Sequence, residues 1–229
     1  MEYRYYEIPA GSPVLALLGD KWVQNYGRDI DYLHFHNHLE VGFCYYGEGT
    51  VTFKEDIPFD GNMFTVIPKN FPHTTTSAGD SVSYWEWLFI DADKFLREVY
   101  KDNPRMAQKV LDRVNRRAHF VRVQDKPQIG ALVQQIIGCM RERKEFYLEE
   151  VKGLTLALLL QVARWNREEA EKTEFEAGNS SLITPAIDYI SECCDRPIKV
   201  EELAAMCHIS ETHLRRVFHD CMQMSPVEY

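Results

Sequence analysis

Residues 200–218, VEELAAMCHISETHLRRVF, carry the clearest structural signal in the chain. Apolar residues recur there at intervals of three and four, as along one face of a helix, and Cys207-His208-Ile209 interrupts the run. Glu201 and Glu202 suit the first turn of one helix, and Ser210 suits the N-cap of another. The pattern therefore predicts a helix-turn-helix, whose second helix enters the major groove of DNA. The periodic residues are Val200, Leu203, Ala204, Met206, Ile209, Leu214 and Val217.

The carboxyl-terminal residues 183–229 resemble the first half of the DNA-binding domain of AraC/XylS-type transcription regulators. The alternative is an amphipathic trio of helices that only packs. That family usually has glycine after the second helix, where this chain has Gln223, so we expect an irregular helix end. The family also has a second such unit after a long helix, whereas this sequence ends at Tyr229. We expect a trimmed chain; the alternative is a natural protein that lacks half of the DNA-binding domain. The resemblance is carried by Ala186, Tyr189, Ile190, Glu202, Leu203, Ala204, Ile209, Ser210, Leu214, Arg216, Phe218, Ser225, Pro226 and Tyr229.

The resemblance implies which side chains contact double-stranded DNA. Thr212, His213, Arg215 and Arg216 are expected to lie on the side of the recognition helix that meets the groove. Arginine reads guanine through two parallel hydrogen bonds. Lys199 is expected to contact a phosphate beside a helix amino terminus. The alternative role for Arg216 is structural, tying the two helices together.

The charge of the chain opposes general nucleic-acid affinity. The net charge is −9, and residues 181–229 contain four Lys and Arg against eight Asp and Glu, a local balance of 4 − 8 = −4. Affinity for phosphates depends on cationic contacts. His213, Arg215, Arg216 and His219 cluster on the second helix, which reconciles this balance with DNA binding. Because the cations are so few, we expect this single unit to bind DNA weakly.

Histidines alternate in the amino-terminal part. His34, His36, His38 and Glu40 occupy every second position, so an unbroken strand would project all four from one face. Because the opposite face would be apolar, periodicity alone predicts surface histidines on a half-buried strand.

The spacing of these residues also resembles that of cupins. His34-x-His36-x3-Glu40-x6-Gly47 matches the first cupin motif, and Pro68-x-Asn70-x2-His73 matches the second, with Asn70 in place of the usual glycine. The resemblance implies a small barrel with a polar interior, in which His34, His36, Glu40 and His73 ligate a metal. Three imidazoles and a carboxylate suit one divalent transition metal: zinc, nickel, manganese or iron. The alternative is a set of partly solvated histidines around an empty or ligand-filled pocket.

The whole pattern predicts an α+β protein. We expect a cupin-like β-barrel of jelly-roll type in residues 1–120, a coupling and dimerising helical pair in 121–177, and an all-α helix-turn-helix in 178–229. The second helix of the pair is apolar around most of its circumference, so it needs burial on two sides, by the β domain or by a second copy in a homodimer. The expected strands are Tyr3–Ile8, Leu33–Tyr46, Thr50–Lys54, Met63–Ile67 and Ser81–Ile90, and short helices are expected at Lys94–Tyr100 and Met106–Asn115.

These parts together predict a ligand-responsive transcription regulator with no catalytic activity. A small-molecule effector such as a carbohydrate would bind near His34, His36 and His38, with Trp85 and Trp87 able to stack on it. The alternative role of the two tryptophans is simple core packing. Two other functions remain open: a metal-dependent cupin enzyme, such as a dioxygenase or isomerase, and an interaction module that forms inactive heterodimers.

Composition suggests the compartment. The six cysteines show no CxxC spacing, which favours reduced thiols. No apolar run approaches the length of a membrane span, and no signal peptide opens the chain. We therefore expect a cytoplasmic protein with no membrane partner.

Overall fold

The computed structural model of this protein describes residues 2–28, 32–53, 55–172, 180–193, 197–222 and 225–227. It mixes helix and strand, which confirms the α+β prediction at that level. The chain divides into two compact units, residues 1–172 and 173–229. The predicted helical pair therefore lies in the same unit as the strands, and the finer boundary at residue 120 stays a prediction. Gln223, Cys194 and Tyr229 lie outside the described residues.

The strands of the first unit are β1 (Glu2–Arg4), β2 (Val14–Leu17), β3 (Val23–Gln24), β4 (His34–His36), β5 (Leu39–Tyr46), β6 (Gly49–Thr52), β7 (Asp56–Phe59), β8 (Met63–Val66), β9 (Thr74–Ser77), β10 (Ser83–Ile90) and β11 (His119–Arg122). The central sheet has the order β11-β8-β5-β10-β2, with β3 also paired to β10. A second sheet has the order β7-β6-β9, and β1 pairs with β4 in parallel. No closed barrel is found among the described strands, so the predicted jelly-roll barrel is not confirmed.

The predicted unbroken strand Leu33–Tyr46 is wrong, because it divides into β4 and β5 at Asn37 and His38. At this break, the side chain of Asn37 hydrogen-bonds to the backbone of Tyr6 in place of regular strand pairing. Its Oδ1 accepts from the Tyr6 N–H at 3.0 Å, and its Nδ2 donates to the Tyr6 carbonyl at 2.9 Å. An asparagine side chain that binds backbone in this way competes with regular strand pairing.

The α-helices among the described residues of the first unit are α1 (Ala92–Val99), α2 (Pro104–Val114), α3 (Pro127–Glu142) and α4 (Tyr147–Lys172). The helices α3 and α4 share one core with the central sheet, where Val133 and Ile136 of α3 and Leu158 of α4 are fully buried. Of the two ways to bury the helical pair, packing against the β domain is therefore observed. The homodimer stays a prediction.

The second unit contains α5 (Ser180–Glu192), α6 (Val200–Met206) and α7 (Glu211–Met222). The last two lie where the periodicity of residues 200–217 predicts helices. Their core is apolar, and it is formed by Ile183, Ala186, Ile187, Leu203, Ala204, Leu214, Val217 and Phe218. Within the described part of the chain, no helix has both the length and the apolar character required to cross a bilayer.

Candidate functional site

The break between β4 and β5 brings the histidines and Glu40 to one place. His34 and His73 exchange two backbone hydrogen bonds of 2.9 Å, and their rings lie 4.3 Å apart between centroids. Glu40 exchanges backbone hydrogen bonds of 2.9 and 2.8 Å with Ile67. The segment between Ile67 and His73 therefore runs beside both strands.

Asn70 explains how that segment turns. Its φ of 58° is left-handed, and its N–H donates to the His36 carbonyl at 2.8 Å. Asparagine is enriched in this conformation among residues other than glycine. The replacement of the usual cupin glycine by Asn70 is thus compatible with the observed turn.

The four candidate ligands are all buried. The exposed fractions are 9% for His34, 0% for His36, 3% for Glu40 and 1% for His73. The prediction of surface histidines from periodicity alone is therefore wrong. Buried polar groups need hydrogen-bond partners, and the partners of these side chains determine what the cluster can bind.

The hydrogen bonds of two histidines fix the tautomer of each ring. Nδ1 of His36 lies 2.8 Å from the His38 carbonyl, and Nδ1 of His73 lies 2.8 Å from the Phe71 carbonyl. Because a carbonyl oxygen only accepts, Nδ1 carries the proton in both rings. In the neutral rings each Nε2 then presents a lone pair, which is the arrangement found in metal-ligating histidines.

Those lone pairs meet a carboxylate. Nε2 of His36 lies 3.0 Å from Oε2 of Glu40, and Nε2 of His73 lies 3.5 Å from Oε1. The 3.0 Å separation is short enough for a hydrogen bond, yet His36 Nε2, His73 Nε2 and Glu40 Oε1 have no hydrogen-bond partner of acceptable geometry. In neutral rings that are protonated on Nδ1, no proton lies between Nε2 and the carboxylate oxygens. An added proton on each ring or a shared cation would satisfy them.

Electrostatics of the cluster follow from burial. Burial would raise the pKa of Glu40, but His73 and His36 outweigh it and hold that pKa well below its usual range. Burial lowers the pKa of His34 to about 2, and the charges of His73 and Arg4 act in the same direction. His34 is therefore a neutral imidazole. His34, Glu40 and His73 each offer one ligand atom, all within 4.8 Å of one another.

The cluster opens into a cavity of about 350 Å³. His34, Glu40 and His73 form part of its wall, and His36 lies behind them. Of the predicted effector-binding residues, His34 and Trp87 line the cavity. Its other walls come from residues near the amino terminus, among them Arg4, Tyr6, Leu17, Trp22, Tyr26 and Arg28.

Two predicted effector-binding residues lie elsewhere. His38 is not among the lining residues, and its Nε2 lies 2.9 Å from the Tyr6 carbonyl across the strand break. Trp85 is fully buried behind Trp87, its ring stacked on that of Trp87 at 4.9 Å. The core-packing role is thus observed for Trp85, while Trp87 is both packed and part of the wall.

The predicted DNA-contacting residues lie on α7 and before α6. Thr212, Arg215 and Arg216 are exposed, His213 is half-buried, and Lys199 is exposed at the amino end of α6. Ser210 accepts a hydrogen bond from the His213 N–H at 3.3 Å, as predicted for an N-cap. The turn also contains His208 with φ of 54°, and the Ile209 N–H donates to the Ala204 carbonyl at 3.1 Å.

No protein-family model and no curated protein sequence matches the chain. Among solved structures, it is similar to apo ToxT of Vibrio cholerae with a lysine-to-alanine substitution, at 14% identity and a TM-score of 0.44, covering 95% of this chain and 97% of that chain. It is similar to the AraC-like transcriptional activator CuxR at 15% identity and 0.40, covering 80% and 61%. It is also similar to wild-type ToxT bound to an unsaturated fatty acid, at 13% identity and 0.40, covering 95% and 93%. These neighbours are AraC-family regulators, but at TM-scores below 0.5 the similarity by itself establishes neither fold nor function.

Proposed function

We propose that this protein is a ligand-responsive transcription regulator that binds a small-molecule effector in the cavity and duplex DNA through α7. The two sides of α7 carry the proposal. Leu214, Val217 and Phe218 are fully buried, whereas Thr212, Arg215 and Arg216 are exposed. A helix fixed on its inner side, with two guanidinium groups on its outer side, suits the major groove.

The local geometry supports a helix-turn-helix unit. The Ser210 cap and the hydrogen bond from Ile209 hold α6 and α7 together through a four-residue connection, residues 207–210. The helix α7 has 12 residues and so extends about 18 Å, more than the ~12 Å width of the major groove. Its first two turns carry the residues expected to meet base edges.

A selection experiment tests DNA binding. The protein is incubated with a pool of random duplexes at low salt, about 50 mM, because few cationic contacts give weak, salt-sensitive binding. We expect an enriched sequence, and we expect Arg215→Ala or Arg216→Ala to weaken its binding by about tenfold or more. Arg105→Ala, which removes the same charge from an exposed site on α2, is the matched control. Failure of the wild type to enrich any sequence contradicts the DNA-binding half of the proposal.

The same proposal includes one divalent transition metal held by His34, His36, Glu40 and His73. The donor set fits: the buried Nε2 atoms of His36 and His73 and Oε1 of Glu40 have no hydrogen-bond partner, and their rings are oriented by backbone carbonyls. When bound, the metal would act as a Lewis acid toward oxygen atoms of a ligand in the cavity. The role of the protein is to orient the imidazoles and to keep the carboxylate ionised.

A metal-dependent cupin-type enzyme is the second candidate function. It is favoured by one observation, namely that His34, Glu40 and His73 face a cavity rather than closed core. The test supplies Fe²⁺ and oxygen with a catechol, a thiol and a sugar, and follows oxygen consumption. Sustained turnover that is lost in His36→Ala would favour the enzyme, and its absence in all three assays favours the regulator.

A further inference from the structure

The charged wall of the cavity is mainly cationic. Arg4 and Arg28 line it, and Glu40 is the acidic residue among the described residues of its wall. The two guanidinium groups therefore outnumber this carboxylate by one charge, 2 − 1 = 1. The charge that remains to be matched by a ligand is therefore positive.

Arg4 is positioned at the histidine side of this wall. It ends β1, where its Cα pairs in register with that of His36. Burial raises the pKa of Tyr6, and the positive charge of Arg4 opposes that rise. Its Nε donates to Glu2 at 2.7 Å, a half-exposed pair that leaves most of its five N–H donors for other acceptors.

One neutral donor of the described wall also lacks an acceptor. The indole Nε1 of Trp22 is buried and has no acceptor among the described residues. Other donors of the wall are already used: Asn25 Nδ2 donates to the carbonyls of Gly79 and Ser81, and the Tyr26 hydroxyl donates to that of Trp22. A ligand rich in acceptor oxygens would satisfy both Trp22 and Arg4.

The wall also contains aromatic rings. Tyr6 stacks on Phe89 at 3.8 Å, and Tyr26 meets Trp87 edge to face at 6.1 Å. Aromatic faces of this kind pack on the ring of a sugar or of an aromatic compound. A cavity of about 350 Å³ is at the small end of the range for ligand sites, which limits the occupant to about one ring.

We infer that the effector is a small organic anion, a one-ring acid whose carboxylate is bound by Arg4 and whose ring lies against Trp87 and Phe89. The inference rests on the proposed function, which leaves the effector class open. It favours an acid over the neutral carbohydrate that the sequence suggests. Aromatic acids and sugar acids share this chemistry, and the experiment separates them.

Calorimetric titration of the full chain in metal-free buffer tests the inference with two matched pairs of probes. Salicylate is compared with salicyl alcohol, and glucuronate with glucose, so that each pair differs mainly in the carboxylate. We expect one acid to bind at least about tenfold more tightly than its neutral partner, since a charge-assisted hydrogen bond is roughly twice as strong as a neutral one. The acid that binds identifies the source.

Variants of Arg4 make the test specific. Arg4→Gln should weaken binding of the acid by about tenfold and leave binding of the neutral partner unchanged. Arg4→Lys, which keeps the charge, should retain part of the affinity for the acid. Arg97→Gln, at an exposed position of α1, is the control and should leave both affinities unchanged. Equal binding of acid and neutral partner, no binding of either acid, or acid binding that survives Arg4→Gln each overturns the inference. DNA selection needs no effector, so a failure of the proposed DNA binding is scored separately.

Discussion

Glu86 of β10 and Arg141 of α3 form an ion pair that ties the helical pair to the central sheet. The Glu86 side chain is fully buried, and it also accepts hydrogen bonds from the hydroxyl groups of Tyr45 and Tyr84, at 2.7 and 2.8 Å, and from the Gly19 N–H at 2.8 Å. Burial would raise the pKa of Glu86, but Arg141 and these donors hold it below its usual range. A buried carboxylate is tolerated here because four donors from separate segments converge on it.

Replacing Glu86 by alanine should therefore destabilise the first unit. The four donors would lose their acceptor, and we expect a loss of about 3–5 kcal/mol in the free energy of unfolding, measured by urea denaturation. Glu98→Ala, which removes an exposed carboxylate from α1, is the control and should change stability by less than about 0.5 kcal/mol. Equal losses of stability in the two variants would show that the interactions of Glu86 with its four donors do not stabilise the fold.

Gly42 of β5 lies where the surrounding side chains leave no space for a Cβ atom. A Cβ atom at this position would lie 2.4 Å from the Trp87 ring and 2.8 Å from the Thr65 hydroxyl. Gly42→Ala should displace Trp87 and cost about 1–3 kcal/mol of stability. Gly138→Ala in α3 is a matched control of opposite sign, because its Cβ meets nothing within 4 Å and alanine favours the helix by up to about 1 kcal/mol. The two melting temperatures should move apart, and a shift in the same direction would contradict the prediction.

His119 should make stability depend on pH. Its Nε2 lies 2.5 Å from Asn166 Oδ1, its ring stacks on Trp165 at 3.6 Å, and burial lowers its pKa to about 4. Because an exposed histidine titrates near 6.5, the unfolded chain binds more protons between these two values, so stability falls as the pH is lowered through this window. The loss between pH 7 and pH 5 should be about 2 kcal/mol.

The control for this pH dependence is His119→Gln, which removes the titrating ring but retains a donor for Asn166. Its stability should vary less between pH 5 and pH 7 than that of the wild type, as followed by urea denaturation at each pH. His219→Gln, at an exposed position of α7, should behave as the wild type. An unchanged slope in His119→Gln would assign the pH dependence to other groups.

Metal uptake should depend on Glu40. We expect one equivalent of Zn²⁺ or Ni²⁺ after dialysis, measured by elemental analysis, together with a higher melting temperature, because an ion that binds only the folded state stabilises it. Glu40→Gln keeps the shape and removes the charge, so it should lose most of the bound ion. His208→Gln, at an exposed histidine, should retain it. Equal uptake by Glu40→Gln and wild type would rule out this donor set.

Helices were easier to predict from the sequence than strands, and the reason is physical. One-sided burial imposes a period of 3.6 residues, which is plain in α3, α4 and α7. By contrast, β9 consists of Thr-Thr-Thr-Ser and has no apolar alternation to detect. The strand β7 contains Pro58, which argues against a strand, yet β7 lies at an edge where proline is tolerated.

The candidate site was only half predictable for a similar reason. His34, His36, Glu40 and His73 are found by spacing within two short segments. Arg4, Trp22 and Tyr26 belong to no motif and reach the cavity only through the pairing of β1 with β4 and of β3 with β10. A sequence pattern cannot report a neighbour that is created by strand pairing. The break at Asn37 is equally a long-range effect, because it depends on hydrogen bonds with Tyr6.

Alternate side chains of β10 contact the cavity on one face of the sheet and the helices on the other. Trp87 and Phe89 face the cavity, while Glu86 and Leu88, their immediate neighbours in the chain, face the helices. A displacement of β10 therefore changes both the cavity wall and the packing of the helices against the sheet. Weaker ligand binding after mutation of Trp87 can thus arise from lost contact with the ligand or from weaker packing of α3 on the sheet. Measuring the free energy of unfolding of each variant beside its binding curve separates the two causes.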